Sequence, residues 1–173
     1  HFVDPTDPEN FRRAMTDKVK FIFVENLANP GGIVVDIEKV AATAKEHGIP
    51  LVCDNTLASP YLWRPFEWGA DIVTHSMTKY ICGHGNTMGG IVIESGKFDW
   101  GQNDRFPGLS QPDEAYHGLT FYETFGDFGF TMKMRAVGLR DYGPTMSAQS
   151  AWNILQGVET LPLRMERHSE NAL

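Results

Sequence analysis

The sequence predicts an α/β protein built on a mostly parallel, mixed sheet with helices on both faces, and three observations carry that expectation. Two runs, VKFIFVEN (residues 19–26) and IPLVCDN (residues 49–55), are almost continuously apolar, as strands covered on both faces are. Between them, DIEKVAATAKEHG places Ile37, Val40, Ala41 and Ala44 at the i, i+3, i+4, i+7 spacing of a half-buried helix. Two further apolar runs, DIVTHS (71–76) and GGIVIES (89–95), add strands.

Taken in order, DPTDPENFRRAM reads as a loop and then a helix, with Asp7 as N-cap, Pro8 at the first helical position and Glu9 at the positive end. The first strand, 19–26, is followed by the turn NPGG. The next helix has Asp36 to cap it and Gly48 to end it. Residues 19–55 therefore form a βαβ unit, which makes the sheet at least partly parallel. Residues 96–118 are polar, aromatic and proline-bearing, and are expected to run over the surface outside the sheet. After them FTMKMRAVGLRD, SAQSAWNILQGVETL and PLRMERHSENAL turn helical.

The 173 residues are enough for one sizeable core. A formal net charge of -7 with scattered Lys and Arg offers no basic face for a phosphate backbone, so no nucleic-acid partner is expected. No run of about 18 apolar residues occurs and no basic-then-apolar leader opens the chain, so the expected address is the cytoplasm and no membrane is involved. Cys53 and Cys82 lack metal or redox spacing and read as buried, reduced thiols. HFVD opens as if inside a strand and RMERHSENAL stops within a helical pattern, which predicts a piece of a longer protein.

Ligands of open α/β sheets bind beyond the carboxyl ends of the parallel strands. The residues there are Asn29, Asp54 and the group Ser76 to Lys79. These types suit pyridoxal 5′-phosphate, which needs a lysine for its aldehyde, a carboxylate for its protonated ring nitrogen, hydroxyls for its phosphate and a donor near its ring oxygen. Lys79, hemmed in by Tyr80, Ile81 and the strand ends, is expected to be partly desolvated, which frees its lone pair. Asp54, at the end of an apolar strand, is costly to bury without a cationic partner such as a pyridinium. Ser76 and Thr78 offer hydroxyls, and Asn29 a donor. Singly, each has a plainer reading: Asp-Asn as a turn, Ser and Thr as caps, Lys as a solvated charge.

The run SMTKYICGH, and the tripeptide Asp54, Asn55, Thr56 whose aspartate lies 25 residues ahead of Lys79, resemble the cysteine and methionine metabolism family of pyridoxal-phosphate enzymes. Within it, KFDWGQNDRFPGLSQPDEAYHG and SAQSAWNILQGVETLPLRMERH are similar to the branch acting on O-acetylhomoserine. The resemblance implies part of the large domain of a fold-type I transferase, with residues 1–160 its centre and 161–173 the start of a helix toward a C-terminal domain. It implies Lys79 as the catalytic, cofactor-bearing amine, with Asn29, Asp54, Thr56, Ser76 and Thr78 holding the cofactor. It further implies an amino-acid substrate, sulfide or a thiol as partner, and a homotetramer with shared active sites. Family members are longer, and the remaining segments would complete the phosphate cradle, the ring stack and the grip on the substrate carboxylate, so the chain alone is expected to be inactive.

Rival readings remain. Methionine γ-lyase and cystathionine γ-synthase or lyase share these cofactor residues. A fragment that only folds or associates would need no chemistry. A metal-dependent hydrolase would use Asp54, His75, His84 and His117, against which stand the lack of H-E-x-x-H and the place of His75 inside the family-like run. Gly83 and Gly85 fail the dinucleotide pattern because Met88 stands where its third glycine belongs.

Overall fold

A computed structural model describes residues 1–173. Its sheet has four strands in the order β1 (Ile22–Glu25), β2 (Leu51–Asp54), β3 (Ile72–Ser76), β4 (Gly90–Glu94), the first three parallel and the last antiparallel to β3. The mixed, mostly parallel sheet is thus as expected. Helix α1 (Glu9–Arg13) follows a turn in which Asp7 Oδ1 accepts the Glu9 N–H. Helix α2 (Ile37–Glu46) is capped by Asp36, which accepts the Lys39 N–H, and is ended by Gly48 at φ 62°.

Alternation along the strands sorts the core into two layers. Ile22, Val24, Leu51, Cys53 and Val73 point to one face and pack against Phe11 of α1 and Ile37, Val40, Ala41 and Ala44 of α2. Val52 and Ile72 point to the other, where α4 (Pro107–Ser110), α5 (Phe121–Phe125) and α6 (Gly129–Lys133) deliver Leu109, Phe121 and Phe130. Helices therefore cover both faces. The covering is uneven: β1 alternates between buried and exposed, and Phe21 and Phe23 are more than half exposed. The expectation of two covered faces along 19–26 fails on this edge strand.

Residues 96–118 also differ from expectation. They stay outside the sheet, yet they form part of the core, because Trp100 and Leu109 are buried against Ile72. Trp100 stacks on Phe130 at 5.3 Å and meets Phe98 and Phe106 edge-on. The segment is fastened to the α2 end of the sheet by polar bonds: Asn103 Nδ2 donates to the Gly48 carbonyl, Arg105 Nη1 to that of His47 and Lys20 Nζ to that of Arg105, each at 2.8 Å. Its polar composition concealed two buried anchors.

Short elements that no periodicity announced follow β2: α3 (Ser59–Leu62) and a 3-10 turn, Pro65–Trp68. Beyond α6 the chain continues through a π-helical stretch, Met134–Leu139, into α7 (Arg140–Tyr142), and ends in α8 (Ala148–Glu159) and α9 (Leu161–Ala172). No helix is long and apolar enough to cross a membrane. Both cysteines are free and buried, and burial, reinforced by the neighbouring Asp54 charge, pushes the Cys53 thiol up to about 12.

Trp100→Ala removes the centre of the second layer. It should cost about 3–5 kcal/mol of unfolding free energy, as large-to-small aromatic changes do, read as a fall in the urea midpoint at constant slope.

Candidate functional site

The parallel register brings Glu25 of β1 level with Asp54 of β2, and Asp54 level with Thr74 of β3, so these strands end along one edge. Just past β2 lies Asn55, fully buried. Its backbone N–H donates to the Thr74 carbonyl at 2.9 Å, its side-chain amide donates to the carbonyls of Ser59 (3.2 Å) and Trp63 (2.8 Å), and its Oδ1 accepts the amide of Asn26. Ser59, also buried, adopts φ 62°, a left-handed conformation unusual for serine, which these bonds hold in place. On either side of Asn55 the functional candidates are fixed. Asp54 Oδ1 accepts the Thr56 N–H at 2.9 Å, and Thr56 Oγ1 accepts the Ser76 N–H at 2.8 Å.

The segment after β3 carries Lys79 in a compact turn. Lys79 N–H donates to the Ser76 carbonyl (3.1 Å), Cys82 N–H to that of Met77 (2.9 Å), and Gly83 N–H to that of Lys79 (2.7 Å). Thr78 bolts this turn to the start of β4: its Oγ1 donates to the Gly89 carbonyl (3.2 Å) and accepts the Gly89 N–H (3.1 Å). Beneath, Ile81 and Cys82 pack on Ile154, Leu161 and Met165 of α8 and α9. Gly157 makes that approach possible, since a Cβ there would lie 2.0 Å from the Cys82 carbonyl oxygen.

These elements enclose a cavity of about 680 Å³ at the carboxyl ends of the strands. Asn29, Asp54, Thr56, Ser76, Thr78 and Lys79 all line it, so the structure brings together the six residues singled out in the sequence. Glu25 and Asp54 supply acid, while Lys79, Arg164 and His168 supply base. The hydroxyls are not equivalent. Thr78 Oγ1 is committed to Gly89, whereas Ser76 Oγ, the Asn29 amide and Asp54 Oδ2 make no hydrogen bond within the chain. Those groups are available to a ligand.

One expectation is corrected here. Lys79 is exposed, not hemmed in: Ile81 is buried against α8 and α9, and Tyr80 turns edge-on to His168 at 5.4 Å. His75 is buried on β3, with Nδ1 unpaired, and burial pulls its imidazole below the ordinary histidine range. His84 is exposed, its Nδ1 2.6 Å from the Cys82 carbonyl. Asp54, His75, His84 and His117 belong to no cluster of three metal-ligating groups.

Glu25, Arg164 and His168 were missed in the sequence. Glu25 obeys the strand-end rule and accepts the Asn29 N–H at 3.3 Å. Arg164 and His168 share one face of α9 at i, i+4 spacing, but nothing local ties that face to a turn more than 80 residues earlier.

An amine on a glycine-bounded turn after one parallel strand and a partly free carboxylate at the end of its neighbour define a strand-end ligand site of the α/β class. The sequence matches the Cys/Met metabolism PLP-dependent enzyme family over residues 1–173. The chain is 55% identical to O-acetyl-L-homoserine sulfhydrylase of Leptospira meyeri over 100% of its own length and 41% of that protein. It is 48% identical to homocysteine/cysteine synthase of Saccharomyces cerevisiae over 99% of its length and 39% of the relative. A crystal structure of a putative O-acetylhomoserine (thiol)-lyase from Campylobacter jejuni, containing N'-pyridoxyl-lysine-5'-monophosphate, superposes with a TM-score of 0.94 at 40% identity, covering 98% of this chain and 42% of that one. The chain belongs to this Cys/Met metabolism family, and it spans about two fifths of the length of the relatives it matches.

Gly157→Ala tests how the lysine turn is seated. The new methyl meets backbone, which cannot rotate away, so the substitution should cost about 3 kcal/mol, at the upper end for overpacking; chemical denaturation reads the loss.

Proposed function

We propose that the cavity holds pyridoxal 5′-phosphate and that the full-length polypeptide exchanges the acetate of O-acetylhomoserine for sulfide or a thiol. With sulfide the products are homocysteine and acetic acid; with methanethiol, methionine and acetic acid. The observation that carries this reading is the convergence of an amine, a carboxylate oxygen, hydroxyls and a side-chain amide on one strand-end cavity. The names of the relatives support the same activity. The donor set also fits the cofactor, since Asp54 Oδ2 and Ser76 Oγ are unclaimed by the chain and Lys79 is open to the cavity.

Lys79 would bear the cofactor through its amine, Asp54 would face the ring nitrogen, Asn29 the ring oxygen and Ser76 the phosphate, while Thr78, expected from the sequence to share the phosphate, has its hydroxyl committed to Gly89 and would instead hold the turn that carries Lys79. Thr56, whose Oγ1 already takes the Ser76 N–H, would keep Ser76 and Asp54 at a fixed separation. When bound, the cofactor supplies an electron sink for charge developing on the substrate carbons. Lys79, once replaced by the substrate amine, takes and returns protons at the α and β carbons while acetate leaves the γ carbon and sulfur enters there. Its exposure suits that work, because the amine must swing between partners.

Residues 1–160 are read as the centre of the cofactor-binding domain, with α9 beginning the connection onward. A cytoplasmic homotetramer with shared active sites is part of the same proposal, and the open side of the cavity at Lys79 is where a neighbouring subunit would close it.

Borohydride reduction of the full-length polypeptide supplied with pyridoxal phosphate, followed by peptide mapping, tests the assignment. One label on Lys79 is expected; labels spread over surface lysines would contradict it. Lys79→Ala should leave the fold intact and lower turnover by about 10²–10⁴-fold or more, the range for removing a general base. Homocysteine should form from O-acetylhomoserine and sulfide. Release of ammonia and oxo-acid from methionine in its place would put the chain among the γ-lyases.

A further inference from the structure

Tyr80 and Ile81 follow Lys79 in a turn, and neither carbonyl accepts a backbone N–H. Both face the start of α9, where the half-buried guanidinium of Arg164 meets them: Nη1 donates to the Tyr80 carbonyl at 2.6 Å and Nη2 to that of Ile81 at 3.4 Å. The same group reaches back to its own helical pair, with Nη2 donating to the Gly157 carbonyl at 2.6 Å and Nε to Thr160 Oγ1 at 3.1 Å. One planar cation thus joins the lysine turn, the end of α8 and the first turn of α9. Gly83 leaves room for it: a Cβ there would lie 2.2 Å from Arg164 Nη1, and its φ of 74° already disfavours a side chain.

We propose that Arg164 is the positioning residue of the reactive lysine, holding the Tyr80–Ile81 peptide planes so that Lys79 projects into the strand-end cavity. It acts through the turn, not on the substrate: four donor contacts within the chain occupy its guanidinium. The inference rests on the reading of Lys79 as the cofactor-bearing amine. The choice of arginine follows from the geometry. A lysine ammonium is a point donor and does not match the fork of contacts that the guanidinium makes to three carbonyls and a hydroxyl, and an apolar side chain would leave two partly buried carbonyls without a donor.

Hydrogen exchange on the cofactor-free, full-length polypeptide measures the clamp directly, because the amides of Lys79, Cys82 and Gly83 all close hydrogen bonds within the turn. Arg164→Met should speed exchange at these amides at least tenfold while those of Leu51–Asp54 keep wild-type rates, with Arg164→Lys between the two. Wild-type exchange at Leu51–Asp54, together with the graded response of Arg164→Lys, guards against a misfolded arginine variant. With pyridoxal phosphate supplied, the rate of borohydride labelling of Lys79 should fall at least tenfold in Arg164→Met. Unchanged exchange at residues 79–83, or an equal rise in β2, would overturn the proposal, the latter by reducing Arg164 to a general stabiliser. Failure to label Lys79 in the wild type would refute the cofactor reading while leaving the exchange result to stand on its own.

Discussion

The site depends on one buried amide. Asn55 links the ends of all three parallel strands: β1 through Asn26, β2 through its own backbone, and β3 through the Thr74 carbonyl. Its remaining donors close on Ser59 and Trp63, so the chain leaving β2 must turn tightly away from the cavity. Every polar atom of a fully buried side chain carries a cost if left unpaired, commonly about 1–3 kcal/mol. Asn55 has donors and acceptor all matched, which makes alternative paths for the strand ends unfavourable. Asp54 and Thr56 inherit their positions from it, and Ser76 inherits its position from Thr56.

From that floor the rest follows as a division of labour. The sheet places the acidic groups, Glu25 and Asp54, on strands that cannot move independently. The basic groups come from the turn after β3, which Thr78 ties to the start of β4, and from α9, which joins that turn together with α8 through the approach of Gly157 and apolar packing. A cavity with acid on one wall and base on the other suits a ligand that is itself part cation and part anion, and a phosphorylated pyridinium is such a ligand. The amine therefore stands exposed on a turn, and the carboxylate is fixed at a strand end.

Much of this was legible in the sequence where the signal is local. The helix Ile37–Glu46 announces itself by period and by caps at both ends, and the strand-end rule finds Asp54, Ser76 and Lys79 once the strands are placed. What the sequence concealed was long-range. Trp100 sits in a stretch whose composition says surface, yet it fills the space over Ile72 because Asn103 and Arg105 tie that stretch to the far end of α2. The exposure of Lys79 was hidden for the opposite reason: its apolar neighbours turn toward α8 and α9, and adjacency in sequence does not decide which way a turn faces. Phe21 and Phe23 read as core because an apolar run does not reveal which strand lies at the edge.

The central claim is that the amine of Lys79 and the free oxygen of Asp54 share one small heterocyclic ligand across the strand ends. A crystal structure of the full-length polypeptide grown with pyridoxal phosphate addresses it most directly. The account predicts unbroken density from Lys79 Nζ to the cofactor, with the ring nitrogen against Asp54. Density for the cofactor elsewhere, with Lys79 pointing into bulk water, would contradict it.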